Sequence, residues 1–145
     1  MTIVVDFETQ CAKYRKKAIN EAIDFAYGQL MSRMKLPIYI NIRPIRNLAE
    51  KKGIHGDIMD EDDREFTIRI DVSLPVEEMI STIMHELVHA HQYLSGRLKH
   101  LHNDLVRYEG VLYNWYMDYD SRPWEIEAHA KEKQLKEIWD DQERY

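Results

Sequence analysis

Two histidines and a glutamate within five residues carry the clearest chemical signal in the sequence. His85 and His89 are four residues apart, and Glu86 directly follows the first of them. Residues four apart lie on one face of a helix, so both imidazoles can reach the same ion. A glutamate beside the first ligand is held where it can take a proton from a water activated by that ion. The pattern predicts a zinc site with Glu86 as general base.

The residues around this motif favour a buried helix. Apolar side chains recur along the same segment, at Ile80, Ile83, Met84, Leu87 and Leu94. Imidazoles and a carboxylate on a core helix are costly without a partner, and a metal ion is such a partner. His91 lies about 200° around the helix from His89 and so faces away from the ligands. Gln92 shares the ligand side, where either a contact with the site or an ordinary capping role fits it.

A third ligand has to come from another segment, and the helix predicted after Pro123 offers Glu125 and Glu127. At 100° per residue from Trp124, Glu127 falls at about 300°, on the half of the helix that carries the apolar residues. Glu125 falls at about 100°, on the polar half. Because a carboxylate on the buried half needs a partner, this placement favours Glu127 as the ligand and leaves Glu125 solvated or assisting it.

Both motifs resemble those of the gluzincin peptidases. His85-Glu-Leu-Val-His89 is followed, after a spacer, by Pro123-Trp-Glu-Ile-Glu127-Ala128. The resemblance covers residues 66–132 and is closest to the minimal-sized and phage-type metallopeptidase-like members. In that family the third zinc ligand is a glutamate on a later helix, often followed by alanine, as Glu127 is here. The resemblance implies a zincin-like domain, a peptide or protein substrate, and hydrolysis by a metal-activated water.

Such a mechanism also needs a donor to the oxyanion of the tetrahedral intermediate, commonly a tyrosine or a histidine. The candidates are Tyr113, Tyr116, Tyr119 and His129. We choose Tyr119 as the catalytic donor, with core packing as the alternative for each aromatic ring. In the resembled folds, an edge strand beside the cleft holds an extended peptide by main-chain pairing. The predicted strand over 66–72 directly precedes the motif helix.

A zinc hydrolase with a non-peptide amide substrate fits the same residues, and a substrate panel would separate it from a peptidase. Two further functions fit part of the pattern. SprT-like proteases, which act on nucleic-acid-associated proteins, take their third ligand from a histidine a dozen or so residues past the motif. His100 and His102 lie in that region, but the usual glycine is missing because Asn103 follows His102. The other alternative is a non-catalytic zinc-binding interaction protein, which would not need Glu86.

Composition is that of an ordinary globular domain. The 145 residues suit a single zincin-like domain over 1–145, and the net charge of −6 argues against an autonomous nucleic-acid binder. The first ten residues lack the features of a signal peptide, and no apolar run is long enough to span a bilayer. The single cysteine, Cys11, excludes an internal disulfide. We therefore expect a cytoplasmic protein (in the host cytoplasm if phage-encoded) with no membrane or direct nucleic-acid partner; the oligomeric state stays open.

The sequence predicts that these residues are positioned by the helices and strands of an α+β fold. Apolar spacing predicts a helix over about 8–34, a strand over 38–43 closed by Pro44, a short strand around 54–59 and a strand over 66–72. The motif helix then runs from about Pro75 to Leu94, and the last helix from Pro123 to about Asp140. This gives an N-terminal helix, a small three-stranded sheet, the motif helix and a C-terminal helix with its glutamate ligand. Residues 104–120 are expected to be irregular.

Overall fold

The computed structural model describes residues 3–143. In chain order the elements are β1 (Ile3–Phe7), α1 (Lys13–Met31), β2 (Ile38–Ile45), α2 (Leu48–Lys52), β3 (Gly56–Asp60), β4 (Glu65–Asp71), α3 (Val76–Leu94), β5 (Leu98–His100), β6 (Leu105–Tyr108), β7 (Val111–Asn114), a 3-10 turn (Tyr119–Ser121) and α4 (Pro123–Glu143). The α+β class expected from the sequence is confirmed. Every helix within residues 3–143 is too short or too polar to traverse a bilayer.

The larger sheet has four strands in the order β1-β2-β4-β3, one more than the sequence predicted. The additional strand is β1, which pairs in parallel with β2 in the register Ile3 to Ile38. Its apolar run of three residues was too short to be recognised alone, because a strand gains its stability from the neighbour with which it pairs. β3 is antiparallel to β4 and forms one edge of the sheet.

Two predicted boundaries shift for reasons that involve pairing. The first helix begins at Lys13, not near Glu8, because the Glu8 amide donates to Ile42 and extends the β1–β2 pairing. β2 continues through Pro44 to Ile45. The backbone N–H of Tyr39 donates to the Arg64 carbonyl on the β4 side, so the N–H groups of odd-numbered β2 residues point toward β4. The backbone nitrogen of Pro44 therefore points toward the β1 side, at a position beyond the end of β1. No ladder bond is lost there by the missing N–H.

α3 lies between the larger sheet, α1 and α4, and is buried on almost every side. The main core forms where its apolar residues meet the strands. Its fully buried members include Ile40, Ile42, Phe66, Ile68, Ile70, Met79, Ile83, Met84, Leu87 and Val88. The helix ends as predicted at Leu94, and Gly96 follows with φ of +77°, a conformation that suits glycine. Any polar side chain in the middle of α3 therefore lies inside the protein.

The second sheet is an antiparallel meander, β5-β6-β7. It corrects the expectation that residues 104–120 are irregular. The β6–β7 turn uses Glu109 and Gly110, both with positive φ, which is the geometry of a tight hairpin. A separate apolar cluster of Leu98, Val106, Tyr108 and Trp124 joins this meander to the start of α4. The meander therefore holds the first turn of α4 against the end of α3.

Candidate metal centre

Three ligand atoms from two helices converge at one point. His85 and His89 on α3 are buried, and their Nε2 atoms are 3.2 Å apart. Oε1 of Glu125, in the first turn of α4, lies 3.0 Å from each Nε2. The pairing of α3 with α4 thus brings residues forty positions apart in the chain into one buried group.

The spacing of these three atoms fits a metal ion. With metal–ligand bonds of about 2.0–2.1 Å, the ligand atoms of a tetrahedral site lie roughly 3.3 Å from one another. The three observed distances, 3.0, 3.0 and 3.2 Å, are close to that value. His85, His89 and Glu125 are therefore a group that could hold a metal ion. Imidazole and carboxylate ligands suit several divalent metals.

The outer nitrogens of both imidazoles are held by acceptors. Nδ1 of His85 lies 2.9 Å from Oε1 of Glu132, and Nδ1 of His89 lies 2.8 Å from Oε1 of Gln92. A neutral imidazole that donates from Nδ1 keeps its lone pair on Nε2. When both imidazoles are neutral, as metal binding requires, two Nε2 lone pairs and the Glu125 carboxylate face a common centre, where a cation relieves their mutual repulsion. Hydrogen-bonded outer nitrogens of this kind accompany most histidine metal ligands.

The electrostatics of the group also favour positive charge. Burial lowers the pKa of His85, but hydrogen bonds to Glu125 and Glu132 outweigh it and raise that pKa to about 10. The pKa of His89 is likewise raised by Glu125 against the effect of burial. Burial would raise the pKa of Glu125, yet the two histidines bring it well below its usual range. These directions describe a pocket that favours positive charge, which a proton or a metal ion could supply.

The structure does not bring Glu127, the third ligand expected from the sequence, to the two histidines. Its carboxylate points to the other side of α4, where it pairs with Arg97 at 2.9 Å and Lys131 at 3.0 Å and accepts from Tyr108 at 2.7 Å. Burial would raise the pKa of Glu127, but these donors lower it to about 2. The sequence argument correctly required a partner for Glu127, but the partner is a guanidinium that directly follows α3.

Glu125 is buried although it lies on the polar half of α4. The reason is that the first turn of this half faces the motif of α3, whereas His129 and Lys133 further along the same half are exposed. Glu125, His129 and Glu132 follow one another at spacings of four and three residues and form one stripe along the helix. All three line the same cleft. This polar stripe was the signal in the sequence that identified the ligand side, and the prediction did not use it.

The sequence reasoning missed Glu132 and left Gln92 undecided. Both prove to be the residues that hold the Nδ1 atoms. Glu132 could have been found from its position seven residues after Glu125, which places both side chains on one face of the helix. The role of Gln92 needed the structure, because the sequence alone does not distinguish a contact with the site from an ordinary capping amide near the end of the helix.

A cleft of about 630 Å³ opens over the metal centre. Glu86 lines it beside the two histidines and is buried, and burial raises its pKa to about 7. One side of the cleft is formed by the segment from Gly53 to Ile58, which includes the start of β3. The remaining lining is largely aromatic and includes Tyr93, Leu98, Trp115, Tyr119 and Trp124.

Gly56 allows β3 to lie close to the cleft. A Cβ at this position would lie 2.6 Å from the carbonyl oxygen of Arg69 and 3.0 Å from Cγ2 of Thr82 on α3. The first of these distances is not tolerated without movement of the backbone, so a side chain here would separate β3 from its neighbours. Glycine therefore sets the position of the edge strand relative to the motif helix.

Of the three tyrosines considered, Tyr119 reaches the metal centre. Its hydroxyl donates to Oε1 of Glu125 at 2.9 Å and lies 3.0 Å from Nε2 of His129. Burial is the largest of the causes that raise its pKa, so the hydroxyl keeps its proton. Tyr113 packs against the ring of Trp124, and Tyr116 is exposed. The geometry brings Tyr119 to the cleft; its role as an oxyanion donor stays a prediction.

The two histidines past the motif lie outside the group. Nε2 of His100 is 2.9 Å from the hydroxyl of Tyr93, and its ring packs on Trp115. His102 is exposed in the turn before β6. A second group within residues 3–143, His85, His129 and Glu132, shares its first member with the buried one. It uses the opposite nitrogen of His85 and is more exposed. Glu132 is therefore better described as a hydrogen-bond partner of His85, and the buried triad is the better candidate for a metal centre.

Comparison with known proteins adds no assignment to this picture. No family model matches the chain, and neither the curated proteins nor the solved structures include a match. The function of the cleft has to be inferred from its own residues.

Proposed function

We propose that the protein is a zinc-dependent metallopeptidase with a minimal zincin-like fold, in which His85, His89 and Glu125 hold the metal. The observation that carries this proposal is the convergence of two Nε2 atoms and one carboxylate oxygen to within 3.2 Å, directly beside Glu86 in an open cleft. A site that only stabilised the fold would use four protein ligands and no adjacent acid or base.

In this proposal, each residue of the cleft has a separate role in peptide hydrolysis. Zinc, when bound, would make a water molecule more acidic and polarise the substrate carbonyl. Glu86, which lines the cleft beside the two histidines, would accept the proton of the attacking water and deliver it to the leaving nitrogen. The hydroxyl of Tyr119, which donates to Glu125 here, would turn in the substrate complex to donate to the oxygen on which negative charge develops. Glu132 and Gln92 orient the two imidazoles by accepting from Nδ1.

A peptide is the substrate class that the cleft suits best. Within residues 3–143, β3 pairs only with β4, which leaves its other edge without a strand beside it. Residues Gly56–Asp60 begin at the cleft, so an extended peptide can add to that edge by main-chain hydrogen bonds. This assigns the pairing edge to β3; the strand expected from the sequence over 66–72 is β4, which is internal to the sheet.

Aromatic lining supports the same assignment. Tyr93, Trp115 and Trp124 give the cleft apolar surfaces that can receive a substrate side chain. The guanidinium of Arg122 lies over the ring of Trp115 at 4.2 Å and donates to the Trp115 carbonyl. It adds a positive charge near the aromatic part of an otherwise acidic cleft. No observation favours the SprT-like alternative, since His100 and His102 lie outside the ligand group.

The first test is metal content together with the Glu86→Gln variant. We expect about one zinc per chain after purification without chelator. Glu86→Gln should keep the metal and lose peptide cleavage by about 10²–10⁴-fold, because glutamine cannot carry the proton. Cleavage is measured on a mixed peptide library by mass spectrometry.

Glu78→Gln is the matched control, because it makes the same change at an exposed position of the same helix. Its metal content and cleavage should equal those of the wild type. Absence of any transition metal after reconstitution would refute the metal centre. Native-rate cleavage by Glu86→Gln would refute the assigned general base. A zinc-loaded protein that leaves every peptide intact would favour the non-catalytic alternative.

A further inference from the structure

The amide of Gln92 has only one chemically permitted orientation. The side chain is fully buried. One end lies 3.0 Å from the carbonyl oxygen of Trp124 and 2.6 Å from Oε1 of Glu127, and both of these atoms only accept hydrogen bonds while Glu127 is ionised. That end must therefore be the NH₂ group. The other end, 2.8 Å from Nδ1 of His89, must be the carbonyl oxygen.

This orientation determines which nitrogen carries the proton when His89 is neutral, the form that binds a metal. A carbonyl oxygen facing Nδ1 requires a proton on Nδ1, which leaves the Nε2 lone pair directed at the metal centre. If the amide were turned by 180°, its NH₂ group would face Nδ1, and His89 would have to place its proton on Nε2. A protonated Nε2 does not bind a metal.

Glu127 is itself fixed by donors from other elements. Arg97, in the segment after α3, reaches both of its carboxylate oxygens at 2.9 and 3.0 Å. The hydroxyl of Tyr108 on β6 donates to Oε1 at 2.7 Å, and Lys131 lies 3.0 Å from Oε2. The hydrogen bond from Gln92 to a carboxylate is charge-assisted and so is stronger than the one to the Trp124 carbonyl.

We propose that Glu127 is a positioning residue for the metal centre: it holds the Gln92 amide so that the Gln92 carbonyl keeps the His89 proton on Nδ1. The carboxylate acts two hydrogen bonds away from the metal, through a relay of Glu127, Gln92 and His89. The meander contributes to the same relay, because Tyr108 and Arg97 hold Glu127 in place. The inference rests on the proposed function only in that the triad binds a metal.

The test is zinc affinity, measured by competition with a chelator. Glu127→Leu should weaken binding by about 10–100-fold, the range found when an outer partner of a metal ligand is removed. Glu127→Gln keeps an acceptor oxygen for the Gln92 amide and should recover most of the loss. Glu109→Gln is the matched control: Glu109 also pairs with Arg97, is exposed, and has no contact with Gln92. Its affinity should be that of the wild type.

A double-mutant cycle separates the relay from a general effect on the fold. Gln92→Leu should weaken zinc binding by itself, and adding Glu127→Leu should weaken it no further, because Glu127 acts only through Gln92. Two full, additive losses would overturn the proposal. Folded Glu127→Leu protein with wild-type zinc affinity would also overturn it.

The proton of His89 gives a readout that does not depend on any variant folding. In ¹H–¹⁵N spectra of the wild-type protein we expect a proton on Nδ1 of His89 that is protected from solvent exchange. An unprotonated or freely exchanging Nδ1 would overturn the relay. If the wild type binds no zinc, the proposed function fails. The spectrum of the metal-free protein must then show which nitrogen is protonated when His89 is neutral, and a proton on Nε2 would overturn the relay.

Discussion

Two faces of α4 carry carboxylates only two residues apart, and the faces differ in what lies opposite them. The cleft face presents Glu125 and Glu132 to the imidazoles of α3. The meander face presents Glu127 to Arg97 and Tyr108. In both cases a partly or fully buried carboxylate has found cationic or donor partners, as burial demands. Burial of a carboxylate therefore predicts that it has a partner, but the element packed against the carboxylate determines which partner that is.

The consequence is a division of roles along one helix. The cleft face forms part of the candidate metal centre and would provide one of its ligands. The meander face reaches it only through Gln92, which connects the two by donating to Glu127 and accepting from His89. Removal of groups on the cleft face should therefore change metal binding or catalysis more than removal of groups on the meander face.

The largest expected effect comes from Glu125→Ala. Loss of one of three protein ligands should reduce zinc affinity on the order of 10³-fold, given the total binding free energy shared by the ligands of such sites. Glu127→Ala should cost at least tenfold less, since its role is indirect. Chelator competition on both variants, with circular dichroism to verify folding, makes the comparison. Loss of metal by Glu127→Ala but not by Glu125→Ala would reverse the roles assigned to the two faces.

A smaller effect, confined to turnover, is expected for Tyr119→Phe. The variant loses a hydroxyl that lies 2.9 Å from Glu125 and is not itself part of the ligand triad. If this hydroxyl stabilises the oxyanion, peptide cleavage should fall by about 10²–10³-fold while zinc affinity stays near that of the wild type. Tyr116→Phe removes an exposed hydroxyl of the neighbouring loop and serves as control. Unchanged kcat in Tyr119→Phe would remove Tyr119 from the mechanism.

The smallest of these effects is expected for Glu132→Gln. The amide keeps an acceptor oxygen for Nδ1 of His85 but loses the charge that strengthens the bond. Zinc affinity should fall by about tenfold, at the lower end of the range for such outer partners. Glu137→Gln, on an exposed part of α4, should change nothing. Equal affinities in both variants would show that the cleft face acts through Glu125 alone.

Much of the fold could be predicted from the sequence because helices and long strands follow from local patterns of apolar residues. The alternation over 38–43 and 66–72 predicted two strands, and the spacing of apolar residues predicted both functional helices and the end of α3. Local patterns do not show which strands pair with one another. β1 is stabilised by pairing with β2, and the short strands of the meander are stabilised by pairing with one another and by packing on the ring of Trp124. Elements of three or four residues are stabilised mainly by such neighbours.

The sequence by itself determined the chemistry of the motif. Four-residue spacing on a helix places His85 and His89 side by side wherever that helix lies, and Glu86 next to them, because helical geometry is local. Only the tertiary structure decided which glutamate completes the triad. A helical wheel separates apolar from polar positions, but a polar face is buried when another polar face packs against it. Here α3 and α4 meet through their polar stripes, so Glu125 reaches the histidines and Glu127 reaches Arg97.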